Sequence, residues 1–248
     1  MSIREFVKSI INLIYPQSIY CIACNNIIDE TRNYSLCDDC FERFKWIGSR
    51  TCNKCGKILS ENNPTNTCYD CKNNRHEFDR GYSCVQYGSL EKSIVFKLKY
   101  NKKTYISRVI AEIMNDRMLI EDLDYDIVIP VPINKKRKRE RGYNQAELIG
   151  GYFSDFQGTK CDNKCLVRMK NTEPLKSMSP TERKESLLNA FNITEHGRKM
   201  IYGKRVLVID DIYTTGATMD SVSLALKREG AEKVYFLVFA SGGDYIIQ

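Results

Sequence analysis

The sequence lacks three features that would place it in common protein classes. No apolar run reaches the ~20 residues needed to cross a bilayer. The apolar N-terminal segment has no small-residue cleavage site, which argues against a secretory signal peptide. A G-x-x-x-x-G-K-S/T loop is also absent, which excludes the P-loop NTPases. We therefore expect a cytoplasmic protein whose chemistry comes from other motifs.

Residues 1–17 are predicted to form an amphipathic helix. Apolar side chains recur at helical spacing along one face, namely Ile3, Phe6, Val7, Ile10, Ile11 and Ile14, and charged residues lie elsewhere. We expect this helix to dock on the body of the protein. Association with a membrane surface is the alternative.

Cysteine, by contrast, is abundant, with eleven in 248 residues. Eight of them form four C-x-x-C pairs, Cys21/Cys24, Cys37/Cys40, Cys52/Cys55 and Cys68/Cys71. The first two pairs recur 31 residues later as the second two, which indicates an internal repeat. Cys84, Cys161 and Cys165 remain outside this pattern and are predicted to be buried or free thiols.

Two C-x-x-C pairs separated by 12 residues fit one tetrahedral Cys₄ zinc site. The repeat favours sequential pairing, with one structural Zn²⁺ for each half, although an interleaved cross-brace would show the same repeat. We predict a double zinc-ribbon module over residues 18–76. Each site supplies about 10–16 kcal/mol of apparent binding energy, which replaces the core that ~60 residues cannot build.

Zinc also changes the charge balance. Eight thiolates and two Zn²⁺ ions reduce the formal net charge from +7 to +3. The basic excess is therefore modest, and net charge alone is a weak argument for nucleic-acid binding.

Residues 206–218 combine an apolar strand, two carboxylates, a hydroxyl-rich loop and the start of a helix. Asp210 and Asp211 can accept hydrogen bonds from a polyol. The loop offers amides and hydroxyls for a phosphate at the helix N-terminus, from Tyr213, Thr214, Thr215, Gly216, Ala217 and Thr218. A diol beside a phosphate indicates a sugar phosphate, and the segment resembles the phosphoribosyl pyrophosphate (PRPP) motif of type I phosphoribosyltransferases.

A basic run, residues 134–145, follows a second apolar strand that ends at Pro130 and Pro132. It contains Lys135, Lys136, Arg137, Lys138, Arg139 and Arg141. Such a run can simply be a solvated face. Ligands of open α/β sheets, however, bind beside the carboxyl ends of strands, where guanidinium groups suit a pyrophosphate or a nucleic-acid backbone. We predict a basic loop there.

Taken in order, these motifs resemble the ComF family of competence-associated proteins. They comprise the four C-x-x-C pairs, residues 96–100, the Pro130 and Pro132 strand end, residues 139–146 and the Asp210–Asp211 loop. The resemblance implies a type I phosphoribosyltransferase-like domain over residues 80–248, an α/β fold with a parallel sheet and flanking helices. It also implies a part in natural transformation with other competence machinery, acting on incoming single-stranded DNA.

In phosphoribosyl transfer, positive charge develops on the ribose as pyrophosphate leaves. Asp210 and Asp211 are expected to hold the ribose hydroxyls, residues 213–218 the 5′-phosphate, and Arg139 or Arg141 the pyrophosphate. Mg²⁺ would bridge the pyrophosphate and ribose oxygens. Tyr100, Tyr143 and Trp46 are candidates for stacking on DNA bases.

One stretch departs from the ComF pattern. Thr172 and Arg183 fit, but Leu175, Met178 and Ser186 replace the usual Gln, Leu and Asn. This departure puts turnover in more doubt than PRPP binding. The alternatives are an active phosphoribosyltransferase in nucleobase salvage without a DNA role, and a scaffold that retains the site as a sensor or relic.

Overall fold

The computed structural model describes residues 19–29, 31–169 and 190–244. The predicted N-terminal helix lies outside these ranges. So does the segment with Leu175, Met178 and Ser186. In the described part of the chain, no helix is long and apolar enough to cross a membrane.

The centre of the molecule is a parallel sheet in the order β1-β6-β5-β2, and a separate antiparallel pair is formed by β3 and β4. The strands are β1 (Arg80–Gln86), β2 (Ile127–Pro130), β3 (Leu166–Arg168), β4 (Phe191–Ile193), β5 (Arg205–Tyr213) and β6 (Lys233–Ser241). The two inner strands are continuous apolar runs because both of their faces are covered. The predicted α/β class is confirmed.

Helices cover the sheet and its ends. They are α1 (Asp38–Arg43), α2 (Tyr69–Asn73), α3 (Ser89–Tyr100), α4 (Ile106–Glu121), α5 (Lys135–Arg141), α6 (Gln145–Gln157), α7 (Glu195–Ile201) and α8 (Ala217–Arg228). Successive side chains of a strand point to opposite faces, so Leu207 and Ile209 pack with α3, α4 and α6. Val206 and Val208 pack with α7 and α8 on the other face. The loops at the ends of the strands are thereby attached to a packed three-layer core.

The cysteine-rich module contributes to both faces of this sheet. Cys21 and Cys40 belong to the same apolar cluster as Leu207 and Ile209. The second set, with Cys52, Cys55 and Cys68, belongs to the cluster on the opposite face. The module is therefore part of the core packing on both sides of the domain that follows it.

The predicted basic loop is wrong in one respect, because much of it is a short helix, α5. The Asn134 side chain accepts a hydrogen bond from Lys136 N at 2.8 Å and so caps the helix. The helix ends at Gly142, whose φ of +88° suits the left-handed C-terminal position. The sequence did not predict this helix because all of its side chains are charged. A helix without an apolar stripe gives no hydrophobic periodicity.

Candidate functional site

The eight C-x-x-C sulfurs form two groups, and the grouping is sequential. Within each group the four ligand atoms lie within 4.8 Å of one another, with Cys21, Cys24, Cys37 and Cys40 in one and Cys52, Cys55, Cys68 and Cys71 in the other. The Cys24–Cys37 and Cys55–Cys68 sulfurs are each 3.6 Å apart. Four sulfurs at ~2.3 Å from a zinc ion stand ~3.8 Å apart, so both groups fit structural Zn²⁺.

The 31-residue repeat is visible in the backbone of the two ribbons. In the first ribbon, built on Cys21, the amide of Asn25 donates to Cys21 O at 2.9 Å. In the second, built on Cys52, the amide of Gly56 donates to Cys52 O at 2.9 Å. Asn25 and Gly56 both have positive φ, of 65° and 72°. Equivalent positions thus make equivalent turns, which confirms the internal repeat.

At the carboxyl end of β5, Asp210 and Asp211 stand beside a lysine from α3. Lys99 Nζ lies 2.8 Å from Asp211 Oδ2 and 3.0 Å from Oδ1. The Asp211 amide donates to Asp210 Oδ1 at 2.9 Å. Burial and the neighbouring Asp211 charge raise the pKa of Asp210 to about 7. One carboxylate is neutralised by an ion pair, and the other is a weaker acid than usual.

The loop after β5 rests on a buried aromatic layer. Tyr213 is buried, with its ring stacked 4.8 Å from Phe236, so only its backbone is available to a ligand. Gly216 has φ +87° and precedes α8, and a Cβ there would lie 2.8 Å from the Tyr213 hydroxyl and 2.9 Å from His76. Glycine is therefore required at this turn. Thr214, Thr215 and Thr218 are exposed on the opposite, solvent side.

His76 packs beside Gly216 and contacts the helix that follows the loop. Its Nδ1 lies 2.9 Å from Asp220 Oδ2 on α8, and the Glu77 amide donates to Asp220 Oδ1 at 2.9 Å. The imidazole also stacks on Phe78, with ring centroids 4.8 Å apart. His76 is thus paired with a helix residue and belongs to neither group of cysteine ligands.

A basic cavity of about 290 Å³ lies next to the Asp211–Lys99 pair. Its lining residues come from α3, α5 and the turn after α3, namely Lys99, Tyr100, Lys102, Arg137, Glu140 and Arg141. The Arg141 guanidinium lies 5.6 Å from the centre of the Tyr100 ring and donates to Gln145 Oε1. With four cations and one carboxylate in its wall, the cavity suits an anion.

Two protein-family models match separate parts of the chain. A double zinc ribbon domain matches residues 10–72, and a phosphoribosyl transferase domain matches residues 164–247. The chain therefore contains a region similar to a double zinc ribbon and a region similar to a phosphoribosyltransferase domain. The eight cysteines lie in the first matched range, and Asp210 to Thr218 lie in the second.

Several relatives are similar to this chain over most of their own length. Competence protein F of Haemophilus influenzae is 26% identical over 219 residues, covering 86% of this chain and 93% of that protein. DNA utilization protein YhgH of Salmonella typhi is 25% identical over 207 residues, covering 82% and 88%. Competence protein ComFC of Bacillus subtilis is 24% identical over 209 residues, covering 79% of each. The ComF resemblance is confirmed.

In this ComF-like protein the two predicted arginines lie on different sides of α5. Arg141 lines the cavity beside Lys99. Arg139 lines a separate open recess with Lys135 and Lys138. The structure therefore brings Arg141, but not Arg139, together with the Asp210–Asp211 end of β5.

Two further basic residues near the carboxylates carried no strong signal in the sequence. Lys99 was part of the family pattern at residues 96–100, but only the fold reveals its ion pair with Asp211. Arg168, on β3, lies within the electrostatic reach of Asp210 and Arg137. Desolvation and the Arg137 charge lower the pKa of Arg168, whereas Asp210 acts in the opposite direction. Lys99 and Arg168 are both far in sequence from the aspartates that they approach.

The three aromatic candidates have different surroundings. Trp46 packs within 5.5 Å of the Tyr34, Phe41 and Phe44 rings, and its Nε1 donates to Phe41 O at 3.0 Å. The Tyr143 hydroxyl donates to Leu98 O. These two contacts are structural. Tyr100 is 65% exposed and pairs with Phe96, which is 52% exposed, at a centroid distance of 4.8 Å.

Proposed function

We propose that this ComF-like protein binds PRPP with Mg²⁺ at the end of β5 and handles single-stranded DNA during DNA uptake in the cytoplasm. The observation that carries the proposal is the Asp210–Asp211 pair beside Lys99, immediately before a glycine loop and the N-terminus of α8. The two carboxylates would accept the hydroxyls of a polyol, and the adjacent loop amides would hold a phosphate.

Each ligand group has a matching protein group. The ribose hydroxyls would donate to Asp210 and Asp211, and the 5′-phosphate would bind the amides and threonine hydroxyls of residues 214–218 at the positive end of α8. Arg141 and Lys99 would face the pyrophosphate, and Arg139 stays an alternative. Mg²⁺ would neutralise charge between pyrophosphate and ribose oxygens.

Two observations support the DNA part of the proposal: the names of three relatives, and an exposed aromatic pair next to a basic cavity. Their names, Competence protein F, DNA utilization protein YhgH and Competence protein ComFC, refer to competence or DNA use. The exposed Phe96–Tyr100 pair adjoins the basic cavity. Aromatic faces next to cations are the surface that single-stranded nucleic acid recognises, by stacking and backbone attraction. We propose that this pair, the stacking platform, receives bases.

PRPP with Mg²⁺ is expected to raise the melting temperature of the protein. A ligand at a hundredfold excess over its Kd adds about 2.7 kcal/mol of stability. The measurement is thermal unfolding with PRPP, ribose 5-phosphate or pyrophosphate, each with and without Mg²⁺. PRPP with Mg²⁺ should give the largest shift because it alone occupies the ribose, phosphate and pyrophosphate positions together. Equal melting curves with and without saturating PRPP would refute the site.

Binding and transfer are separated by pyrophosphate release. The assay offers PRPP with Mg²⁺ and a panel of nucleobases as acceptors. Release that requires a particular base would support the salvage alternative, in which the protein is an active transferase without a DNA role. The proposed function predicts PRPP binding whether or not a free base is an acceptor.

Replacing Phe96 and Tyr100 by alanine is expected to weaken single-stranded DNA binding. Stacking contributes about 1–3 kcal/mol per base, so each lost ring should cost about 5- to 150-fold in affinity. Fluorescence anisotropy with a labelled oligothymidine over a series of salt concentrations measures the loss. The salt slope should change little, because the substitutions remove no charge.

Tyr202→Ala is the matched control, since Tyr202 is 77% exposed but lies away from the cavity. It should bind DNA like the wild type. Unchanged affinity in Phe96→Ala and Tyr100→Ala would remove the stacking platform from the proposal. Circular dichroism and thermal unfolding without ligand, measured on the same samples, would show that the variants remain folded.

A further inference from the structure

Three side chains of types that bind metals lie together beside the antiparallel β3–β4 pair, outside both zinc ribbons. They are Asp162, Cys165 and His196, and one ligand atom from each lies within 4.8 Å of the other two. His196 Nε2 is 2.7 Å from Asp162 Oδ2. The cysteine and the histidine are 31 positions apart in the chain, so the cluster is a product of the fold.

The backbone holds all three residues in place. The Asp162 amide donates to Val128 O at 2.9 Å, which fixes the aspartate to strand β2. The Thr194 amide donates to Cys165 O at 2.9 Å, and Thr194 is the N-cap of α7. Gly197 allows this approach, because a Cβ there would lie 2.4 Å from Cys165 O. His196 is the second residue of the same helix.

The arrangement does not suit a cysteine nucleophile. Cys165 is 0% exposed, so a substrate cannot reach its sulfur. Asp162 and not Cys165 is the hydrogen-bond partner of His196, so the imidazole is not placed to take the thiol proton. The Cys165 thiol and the His196 imidazole share Asp162 as a hydrogen-bond partner. Thiol, imidazole and carboxylate together are, however, the donor set of zinc and related transition metals.

We propose that Asp162, Cys165 and His196 form a third metal site, which binds Zn²⁺ with a water molecule as fourth ligand. Three protein ligands and one solvent position are a common zinc arrangement. The His196 side chain is 49% exposed, which provides the path of entry from solvent. This site is independent of the proposed PRPP and DNA functions.

Metal binding requires only a small local change. Two ligand atoms at ~2.0 Å from a tetrahedral zinc ion are ~3.3 Å apart, so the 2.7 Å contact between His196 and Asp162 must open slightly. Rotation of the half-exposed imidazole achieves this, while the other two ligands keep their backbone contacts. Cys165 would bind as thiolate and release its proton to water. The bound ion would join the β3–β4 pair to α7.

Graded chelation of the purified full-length protein tests the third site. The protein is saturated with Zn²⁺, dialysed and titrated with a chromogenic chelator, and the metal released is counted per chain. We expect three Zn²⁺ per chain in the wild type, one released at lower chelator concentration than the two ribbon ions. His196→Ala and Cys165→Ser should each hold two. Co²⁺ loading should give an additional thiolate absorption band that both variants lack.

Glu195→Gln is the control, because Glu195 is an exposed neighbour of His196 on α7 and lies outside the ligand set. It should hold three ions. His196→Ala alters an exposed side chain and is expected to fold, so a count of two there is not an effect of unfolding. Two ions in the saturated wild type, or three in His196→Ala, would overturn the proposal.

Discussion

Cys68→Ser, which removes one ligand from the second ribbon, is expected to abolish the PRPP-dependent melting shift. A structural zinc site supplies about 10–16 kcal/mol, as much as the whole stability of an ordinary domain, which is about 5–15 kcal/mol. Loss of the ion should therefore unfold the ribbon. Zinc content, circular dichroism and thermal unfolding with PRPP and Mg²⁺ measure the three consequences.

The effect is expected to reach residues 213–218, the proposed phosphate loop, because the second ribbon packs against Tyr213. Lys57, which follows Cys55, forms an ion pair with Asp70 at 2.6 Å and lies 5.4 Å from the centre of the Tyr213 ring. The amide of Gly81 on β1 donates to Lys54 O at 2.8 Å. Unfolding of the ribbon would remove these contacts to Tyr213 and β1. The Tyr213 ring packs beside Gly216, so the loop would lose its support.

The first ribbon supports the opposite wall of the site. Lys97 Nζ donates to the carbonyls of Ile22 and Ala23 at 2.9 and 2.6 Å, in the first C-x-x-C turn. Lys99, two residues later on α3, pairs with Asp211. Cys37→Ser, the equivalent of Cys68→Ser in the repeat, should therefore also weaken PRPP binding, but through the position of α3.

Cys161→Ser is the control for loss of a thiol, since Cys161 is partly buried and belongs to neither ribbon. It should retain both ribbon ions and the PRPP shift. A Cys68→Ser protein that lacks one zinc ion but still shows the full shift would contradict the structural link between the ribbon and the loop.

Local patterns were sufficient where the determinants lie close together in sequence. The 31-residue recurrence of the cysteines predicted the two ribbons because each ligand set spans only 20 residues. The apolar run before Asp210 predicted β5, since a strand covered on both faces needs consecutive apolar side chains. The strand continues to Tyr213, beyond the predicted end, because the Tyr213 side chain is itself buried.

Long-range pairings could not be derived in this way. Lys99 and Asp211 are 112 residues apart, and His76 and Asp220 are 144 apart. Cys165 was predicted to be a buried or free thiol, and it is buried, but its proximity to His196 depends on the packing of α7 against the β3–β4 pair. Such contacts arise from tertiary packing, which periodicity and spacing do not report.

Asp210→Asn combined with Asp211→Asn is expected to eliminate PRPP binding while the protein remains folded. The amides keep the size of the carboxylates but lose the charge that the ribose hydroxyls and Mg²⁺ would require. Isothermal titration with PRPP and Mg²⁺ measures affinity, and thermal unfolding without ligand measures stability. Asp122→Asn with Asp124→Asn removes two charges from an exposed turn and is the matched control.

The raised pKa of Asp210 gives this prediction a pH dependence with a definite sign. Its pKa is about 7 in the folded protein against 3.8 for a free side chain, so between these values the folded state retains a proton that the unfolded chain has lost. This group therefore lowers stability as pH rises from about 4 to 7. Asp210→Asn removes the penalty, and the ligand-free variant should be more stable than the wild type above pH 7.

Affinity and stability should consequently move in opposite directions. Wild-type binding of PRPP and Mg²⁺ should strengthen from pH 6 to pH 8 as Asp210 ionises, in addition to any change that arises from the ligand's own phosphates. Asp210→Asn reports that ligand contribution alone, because its amide does not titrate. If the double variant bound PRPP as tightly as the Asp122 and Asp124 control, the two carboxylates would have no ribose role. A loss of binding by a double variant that remains folded would support that role for the carboxylates at the end of β5, even if the loss of the Lys99–Asp211 ion pair lowers its ligand-free stability.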